Sequence, residues 1–305
     1  MGGKYRGRFA PSPTGRMHLG NLWVALISYC AARQANGEWW LRIEDIDRQR
    51  CRSEWVTGIM EDLRSLGLHP DKVTACQQER IPRYREIMDV WTARGRVYPC
   101  GCNRARRQQI ASAPHPDETA ISYDGHCRLS PPAGSIRPVS WRYAGNDEII
   151  RYRERGKTEI QVRALQRYRD DIVLQRSDGM YNYQFVVAVD DADMGITEVV
   201  RGNDLADSTP LQVRFIRELG AVVPSYFHVP LLVDSEGCRL SKRQRGITWQ
   251  EYRTAGKRSE DLIGELLSYA GVNPLRLPRT LAQALAIPLG EWQLKRKTVE
   301  VGARM

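Results

Sequence analysis

The chain has 305 residues, 42% hydrophobic and 27% charged, proportions that exclude a disordered or membrane-embedded protein and allow a large core with a sizeable cleft. Lys and Arg number 46 against 36 for Asp and Glu, a net charge of +10 that favours a polyanionic partner. Seven cysteines, an odd number, point to reduced thiols in the cytoplasm and away from a disulfide framework, while the apolar run from Leu22 to Ala32 is too short to cross a bilayer and Met1 to Arg6 carries no apolar leader.

Tyr5 to Ala10 is predicted as a strand, which Pro11-Ser12-Pro13-Thr14-Gly15 cannot continue because two prolines lack ladder donors. Leu22, Leu26, Ile27, Cys30 and Ala31 fall at helical spacing within Leu19 to Ala35, and Asn36-Gly37 supplies the stop. Trp39 to Ile43 then completes a strand, loop, helix, strand opening, the βαβ start of an α/β, doubly wound parallel sheet. Helices are predicted after Ser53 as far as Gly67 and from Pro82 to Arg94, closed by Gly95. From Val97 to about Ser140 the composition turns to Cys, Pro, Gly and Arg, which suggests an insertion not held by a large core. Strand-like Phe185 to Val189, a helix from Pro210 to Leu219 stopped by Gly220, and strand-like Val229 to Val233 bring the sheet back.

The loop between the first strand and first helix is where a doubly wound fold binds phosphate, through unpaired N–H groups and the positive end of the helix dipole. His18 can donate to a phosphate oxygen there, and Gly20 lets a nucleotide approach; an isolated His-x-Gly is more often structural, so the surroundings must decide. The stretch from Arg8 to Asn21 resembles the HIGH signature of class I aminoacyl-tRNA synthetases, and its Ala-Pro-Ser-Pro-Thr-Gly lead-in resembles the glutamyl and glutaminyl branch. Arg239-Leu240-Ser241-Lys242-Arg243 resembles the companion KMSKS loop, with Arg239 and Arg243 replacing its first lysine and last serine; charge is kept, but a planar guanidinium differs from a compact ammonium. Three more segments are similar to the same branch: Leu41 to Asp47, Tyr183 to Asp191 and Glu198 to Leu205.

The resemblance implies a Rossmann-type catalytic domain and a division of the chain. Residues 1–96 would be its first half, 97–180 an inserted acceptor-binding and zinc subdomain, 181–235 its second half, and 236–305 the KMSKS-like loop with a short helical C-terminal segment. It implies His18 and Lys242 as catalytic residues, and His18, Gly20, Asn21, Leu240, Ser241 and Lys242 around ATP and its magnesium. Arg8, Phe9, Ala10, Pro11, Ser12, Glu44, Tyr183 and Arg201 would surround L-glutamate, with Arg8 and Arg201 on its side-chain carboxylate and Glu44 on its ammonium. From the residues alone, Glu44 and Arg42 also suit a surface ion pair, and Tyr183 a core position. Forming an acyl-adenylate needs no general base, because the attacking carboxylate is already ionised at pH 7; the work is alignment and charge neutralisation.

Full glutamyl-tRNA synthetases continue past the KMSKS loop into a long anticodon-binding region, whereas here Met305 follows Lys242 closely. In that respect the chain resembles the glutamyl-queuosine tRNA(Asp) synthetases, which place glutamate on queuosine in the anticodon of tRNA(Asp). That resemblance implies queuosine-bearing tRNA(Asp) as partner, a monomeric enzyme, and one zinc. Cys100-x-Cys102 with Cys127 is plausible zinc spacing that needs a fourth donor: the family places a tyrosine where Tyr123 stands, and His115 or His126 remain alternatives, as do three unligated thiols. Basic residues outnumber acidic ones between Arg151 and Arg176, and Lys295-Arg296-Lys297 adds a second cluster beside Trp292; either suits phosphate contacts or a solvated face. A truncated glutamyl-tRNA synthetase charging a 3′ end, a small-molecule nucleotidyltransferase and an inactive RNA-binding paralogue are the competing readings.

Overall fold

Strand β1 (Arg6–Phe9) leads through the proline loop into helix α1 (Leu19–Gln34) and back to β2 (Glu38–Leu41), which pairs with β1 in parallel from Arg6 opposite Glu38 to Phe9 opposite Leu41. The computed structural model describes residues 4–102, 123–132, 139–238, 240 and 248–301. Helix α2 (Ser53–Ser65) connects to a two-residue strand β3 (Lys72–Val73) outside β2, and helix α3 (Ile81–Ala93) follows. Gly67 and Gly95 end these two helices in the left-handed region, with φ of 74° and 68°, where a side chain would be strained.

An antiparallel region comes next: β4 (Val97–Cys100), a one-turn helix α4 (His126–Leu129), β5 (Ser140–Tyr143), the hairpin β6 (Glu148–Tyr152) and β7 (Gln161–Leu165), and β8 (Val173–Gln175). Parallel pairing returns with β9 (Glu198–Gly202) and β10 (Ser225–Val229), joined by a 3-10 turn (Asn203–Ser208) and helix α6 (Thr209–Glu218). The Thr197 N–H donates to the Arg6 carbonyl at 2.9 Å, which sets β9 beside β1. The chain thus runs outward from β1 to β3 and resumes on the other side of β1, so the sheet order reverses between β1 and β9. A crevice at the carboxyl ends of those two strands is the expected ligand site.

Two strand expectations need correction. Phe185 to Val189 is not a strand but the middle of helix α5 (Tyr183–Asp193). The Asn182 side chain caps it by accepting the Gln184 N–H at 2.8 Å, and every residue from Phe185 to Asp191 is buried. A helix buried all round shows no polar face, and its β-branched valines imitate a strand. Val229 to Val233 is likewise two strands: β10 ends at Val229 and β11 (Leu231–Val233) begins after Pro230, which cannot donate to a ladder. β11 pairs in parallel with β12 (Thr298–Glu300), so the last described strand is tied to the strand that follows β10.

The main core gathers α1, β1 and β2 with the helices α7 (Trp249–Thr254), α8 (Ser259–Tyr269) and α9 (Leu281–Ala286). Trp23 and Trp39 are fully buried, their indole N–H groups donating to Pro230 O and Ser28 Oγ. A second cluster of Tyr84, Trp91, Tyr143, Phe185 and Phe215 locks α3, α5 and α6 onto β5. Among the described residues no helix is long and apolar enough to cross a membrane.

Candidate active site

A cleft of about 770 Å³ opens at the reversal point. Arg8, Phe9, Ala10, Pro11, Ser12, His18, Gly20, Asn21, Glu44, Tyr183, Arg201 and Leu240 all line it, although they come from five separate stretches of sequence. Phe9 turns its ring onto Trp39, 6.0 Å between centroids, so its side chain serves packing. Leu240 reaches the cleft from beside β11, its N–H donating to Leu232 O of that strand at 3.0 Å. Ser241 and Lys242, with Arg239 and Arg243, lie outside the described residues.

His18 caps α1 and is 7% exposed. Its Nδ1 accepts the Gly20 N–H at 3.1 Å, so in the neutral ring Nε2 carries the proton. The Asn21 side chain accepts the His18 N–H at 3.3 Å, while the Asn21 and Leu22 N–H groups donate to His18 O. The N–H groups of Gly20, Asn21 and Leu22 are therefore engaged within the chain; this end of α1 offers an anion its dipole and the His18 ring, not the unpaired donors expected from the sequence. A Cβ on Gly20 would meet the His18 ring at 3.0 Å, so the glycine makes room for the histidine as well as for a ligand.

Behind the cleft lies a buried ion network that the sequence did not announce. Asp191 Oδ1 receives Arg42 NH1 at 2.7 Å and Arg8 Nε at 3.1 Å, and its Oδ2 receives Arg8 NH2 at 3.4 Å. Arg42 NH2 continues to Glu44 at 2.9 Å and its Nε lies 3.7 Å from Asp190. Asp190 in turn takes Arg80 Nε at 2.6 Å and the hydroxyl of Tyr84. Burial opposes ionisation of Asp191, yet the facing guanidiniums of Arg42 and Arg8 hold its carboxyl below the usual carboxylate range. At Glu44 burial prevails over the Arg42 that it shares with two aspartates, and its pKa is pushed up. Glu44 and Arg42 do pair, but in the interior and not on the surface.

Arg201 is the exception to this pairing. It is 4% exposed, and its hydrogen bonds go to neutral atoms: Nε to His228 Nε2 at 3.3 Å, NH1 to Gln212, and NH2 to Leu205 O at 3.2 Å and Thr209 Oγ1 at 2.7 Å. Those bonds use four of the five N–H groups of a guanidinium and leave one on NH1. His228 must be neutral to accept from Arg201, with its Nδ1–H directed to Glu154 at 3.1 Å; burial also holds its pKa down. Burial lowers the pKa of Arg201, which nevertheless stays charged. The ring of Tyr226 lies 5.1 Å from its guanidinium. A desolvated cation without a carboxylate beside it is costly unless a ligand supplies the anion. Tyr183 opens α5 beside it, its hydroxyl pushed up by burial and by nearby Glu44.

The cysteines form a separate group. The sulfurs of Cys100, Cys102 and Cys127 lie within 4.8 Å of one another, close enough for bonds of about 2.3 Å to one zinc ion. Tyr123 OH is 3.9 Å from Cys100 Sγ and accepts the Cys127 N–H at 2.8 Å. Arg142 donates to Cys100 Sγ at 3.2 Å, placing a cation where three thiolates around a divalent metal leave a negative charge. Burial opposes ionisation of Cys100, but the Cys102 N–H and Arg142 outweigh it and hold the thiol low. His126 is exposed and outside this group, and His115 lies outside the described residues.

The family model for tRNA synthetases class I (E and Q), catalytic domain, matches residues 4–279. The chain is 41% identical over 288 residues to a protein named glutamyl-Q tRNA(Asp) synthetase from Nitratidesulfovibrio vulgaris, covering 90% of this chain and 89% of that one. It is 39% identical over 268 residues to glutamate–tRNA ligase 1 of Alkalilimnicola ehrlichii, of which it covers 56%. Among solved structures it is similar to a glutamate tRNA ligase from Elizabethkingia meningosepticum in complex with its amino acid, with a TM-score of 0.79 and 25% identity over 98% of this chain and 67% of that one.

Removing the carboxylate of Asp191 takes from Arg8 the carboxylate it pairs with and leaves Arg42 only Glu44 and the more distant Asp190, so one buried positive charge is left unbalanced. Asp191→Asn is expected to lower the free energy of unfolding by about 3–5 kcal/mol in urea titrations. A loss below about 1 kcal/mol would mean that Arg8 and Arg42 do not depend on this carboxylate.

Proposed function

Because the chain belongs to the class I tRNA synthetases of the E and Q type, and among them to the glutamyl-Q tRNA(Asp) synthetases, we propose that its cleft activates L-glutamate with ATP and passes it to queuosine in the anticodon of tRNA(Asp). The observation that carries the amino-acid choice is Arg201: a buried cation surrounded by neutral partners on one side of the cleft, with Glu44 on another. Glutamate brings its side-chain carboxylate to Arg201 and its ammonium to Glu44, each supplying the charge that the pocket lacks. Arg8, already paired with Asp191, shapes the pocket and adds field more than free charge. Glutamine would leave Arg201 without its anion, and aspartate is too short to span both ends.

In the first step the α-carboxylate attacks the α-phosphorus, an anhydride bond forms and pyrophosphate leaves. His18 Nε2–H and the positive end of α1 stabilise phosphate charge, and Lys242 neutralises the departing pyrophosphate together with magnesium. Gly20, Asn21, Leu240 and Ser241 surround the nucleotide in this reading, and Tyr183 offers its hydroxyl to the amino acid. Residues 97–180 act as the acceptor-binding insertion, and one zinc held by Cys100, Cys102, Cys127 and Tyr123 ties β4 to α4. The exposed arginines Arg151, Arg153, Arg163 and Arg167 around the β6–β7 hairpin suit phosphate contacts. Seven free thiols support a reducing, cytoplasmic setting, and the enzyme is taken as a monomer.

Purified protein should exchange pyrophosphate with ATP when glutamate is present, and Lys242→Ala should slow that exchange at least about tenfold. Labelled glutamate should then appear in the anticodon fragment of queuosine-containing tRNA(Asp). Label at the 3′-terminal adenosine instead would make this a glutamate–tRNA ligase, and equal exchange with glutamine would refute the pocket. Metal analysis should find about one zinc per chain, lost in the Cys100→Ser, Cys102→Ser double variant; folded wild type without metal would end the zinc assignment.

A further inference from the structure

Arg201 is held from behind by residues that do not line the cleft. On β10, His228 stands opposite Arg201 of β9 in the parallel register, its side chain buried. The segment that follows β6 runs along the edge of β10 away from β9: Tyr226 gives its N–H to Arg153 O at 2.9 Å and accepts the Arg155 N–H at 2.7 Å, which brings Glu154 beside His228. Glu154 Oε1 takes the Nδ1–H of His228 at 3.1 Å, and its Oε2 is 3.0 Å from Lys157 Nζ. The bare Nε2 of the ring accepts from Arg201 Nε at 3.3 Å and from the Thr209 hydroxyl at 3.1 Å, while Thr209 Oγ1 itself accepts Arg201 NH2 at 2.7 Å. Glu154, His228 and Arg201 thus form a chain across adjacent parallel segments that ends at the cation in the cleft.

We propose that Glu154 and His228 are positioning residues for amino-acid selection: Glu154 fixes the proton of His228 on Nδ1, and the bare Nε2 holds the Arg201 guanidinium in the orientation that meets the side-chain carboxylate of glutamate. The inference rests on the glutamate reading above and deepens it. A guanidinium carries donors only, so the atom facing its Nε must accept. Imidazole does so only while its proton sits on the other nitrogen, and Glu154 keeps it there. Without an acceptor at Nδ1 the neutral ring is free to carry its proton on Nε2 and aim a donor at a donor. A second proton has the same effect and sets a like charge against Arg201. The charged and titratable groups facing His228 are Arg201 from β9, Glu154 and Lys157 from the segment after β6, and Tyr226 on its own strand with Tyr152 of β6 behind it; α6 contributes the neutral Thr209. Burial lowers the pKa of His228, Glu154 raises it and Arg201 lowers it, and the balance lies below the ordinary histidine value. The ring is therefore neutral at pH 7, and affinity for glutamate falls as the pH drops through that pKa. Removing the Glu154 carboxylate takes away the charge that favours the proton, so the fall then begins at lower pH.

The test is glutamate-dependent pyrophosphate exchange by the full chain as wild type, His228→Gln, Glu154→Gln and Glu154→Leu, from about pH 5.5 to about pH 8, where the glutamate side chain stays ionised. Near neutral pH, Glu154→Leu should raise KM for glutamate at least about tenfold while kcat and KM for ATP change less than about threefold. Glu154→Gln, whose amide oxygen still accepts the Nδ1–H, should keep KM for glutamate within about threefold of wild type. The acid rise in KM for glutamate should move down by about half a pH unit or more in Glu154→Gln and shrink in His228→Gln. Glu44, whose pKa is also pushed up, adds the same acid limb to every protein and drops out of the comparison. Should Glu154→Leu fail to fold, the two amide variants carry the test. An acid limb at the wild-type position in both of them, or an unchanged KM for glutamate in folded Glu154→Leu, would overturn this inference and leave the glutamate reading standing. Wild type without glutamate-dependent exchange would overturn both.

Discussion

One carboxylate, that of Asp191, holds the site together. It lies on α5, yet it grips Arg8 from β1 and Arg42 from the end of β2, and through Arg42 it sets the position of Glu44. Around it the ledger of buried charge closes: Arg8, Arg42 and Arg80 face Asp190, Asp191 and Glu44. Such an array gains little net stability over an apolar core, because desolvation offsets attraction, but breaking it is expensive, which makes the arrangement rigid. That rigidity gives Arg201 its meaning. With Arg8 and Arg42 behind the cleft paired to carboxylates, the cation held by His228, Gln212 and Thr209 stands apart among the described residues there, its hydrogen bonds going to neutral partners and its charge left for a ligand.

A second cavity of about 280 Å³ adjoins the cleft, and Ser12, Glu44 and Tyr183 line both. The same frame explains why the two meet where they do. Glu44 forms the partition, its backbone N–H tied to Pro11 O at 3.0 Å and its carboxylate to Arg42, so the proline loop and the segment after β2 cannot drift apart. Tyr183 closes the partition from α5, and Gln77 reaches it from the segment before α3 while bonded to Asp190 on that helix. Elements far apart in sequence are thus fastened to α5, and a change of register there would disturb both compartments.

How much of this was legible in the sequence follows from the range of each signal. The opening βαβ unit was readable because its cues are local: prolines that stop β1, a periodic apolar face on α1, and Asn36-Gly37 after it. His18, Gly20, Glu44, Tyr183 and Arg201 were found through resemblance to synthetase motifs, and the structure brings them to one cleft. Helix α5 was misread because complete burial erased its period, although Asn182 before it was a usable capping signal. The ion network was missed for a different reason. Asp190 and Asp191 end an apolar run, a hint of buried charge, but their partners Arg8, Arg42 and Arg80 are more than a hundred residues away, and nothing local pairs them.

The central claim is that Arg201, whose hydrogen bonds among the described residues all go to neutral partners, selects glutamate. The most direct measurement is the ratio of kcat/KM for glutamate to that for glutamine in pyrophosphate exchange, in wild type and in Arg201→Gln. The expected result is a fall in that ratio of at least about a hundredfold, carried by KM for glutamate, since a buried charged contact is lost for one substrate and not for the other. An unchanged ratio in a folded variant would contradict the account, because the charge that chooses the substrate would then have to lie elsewhere.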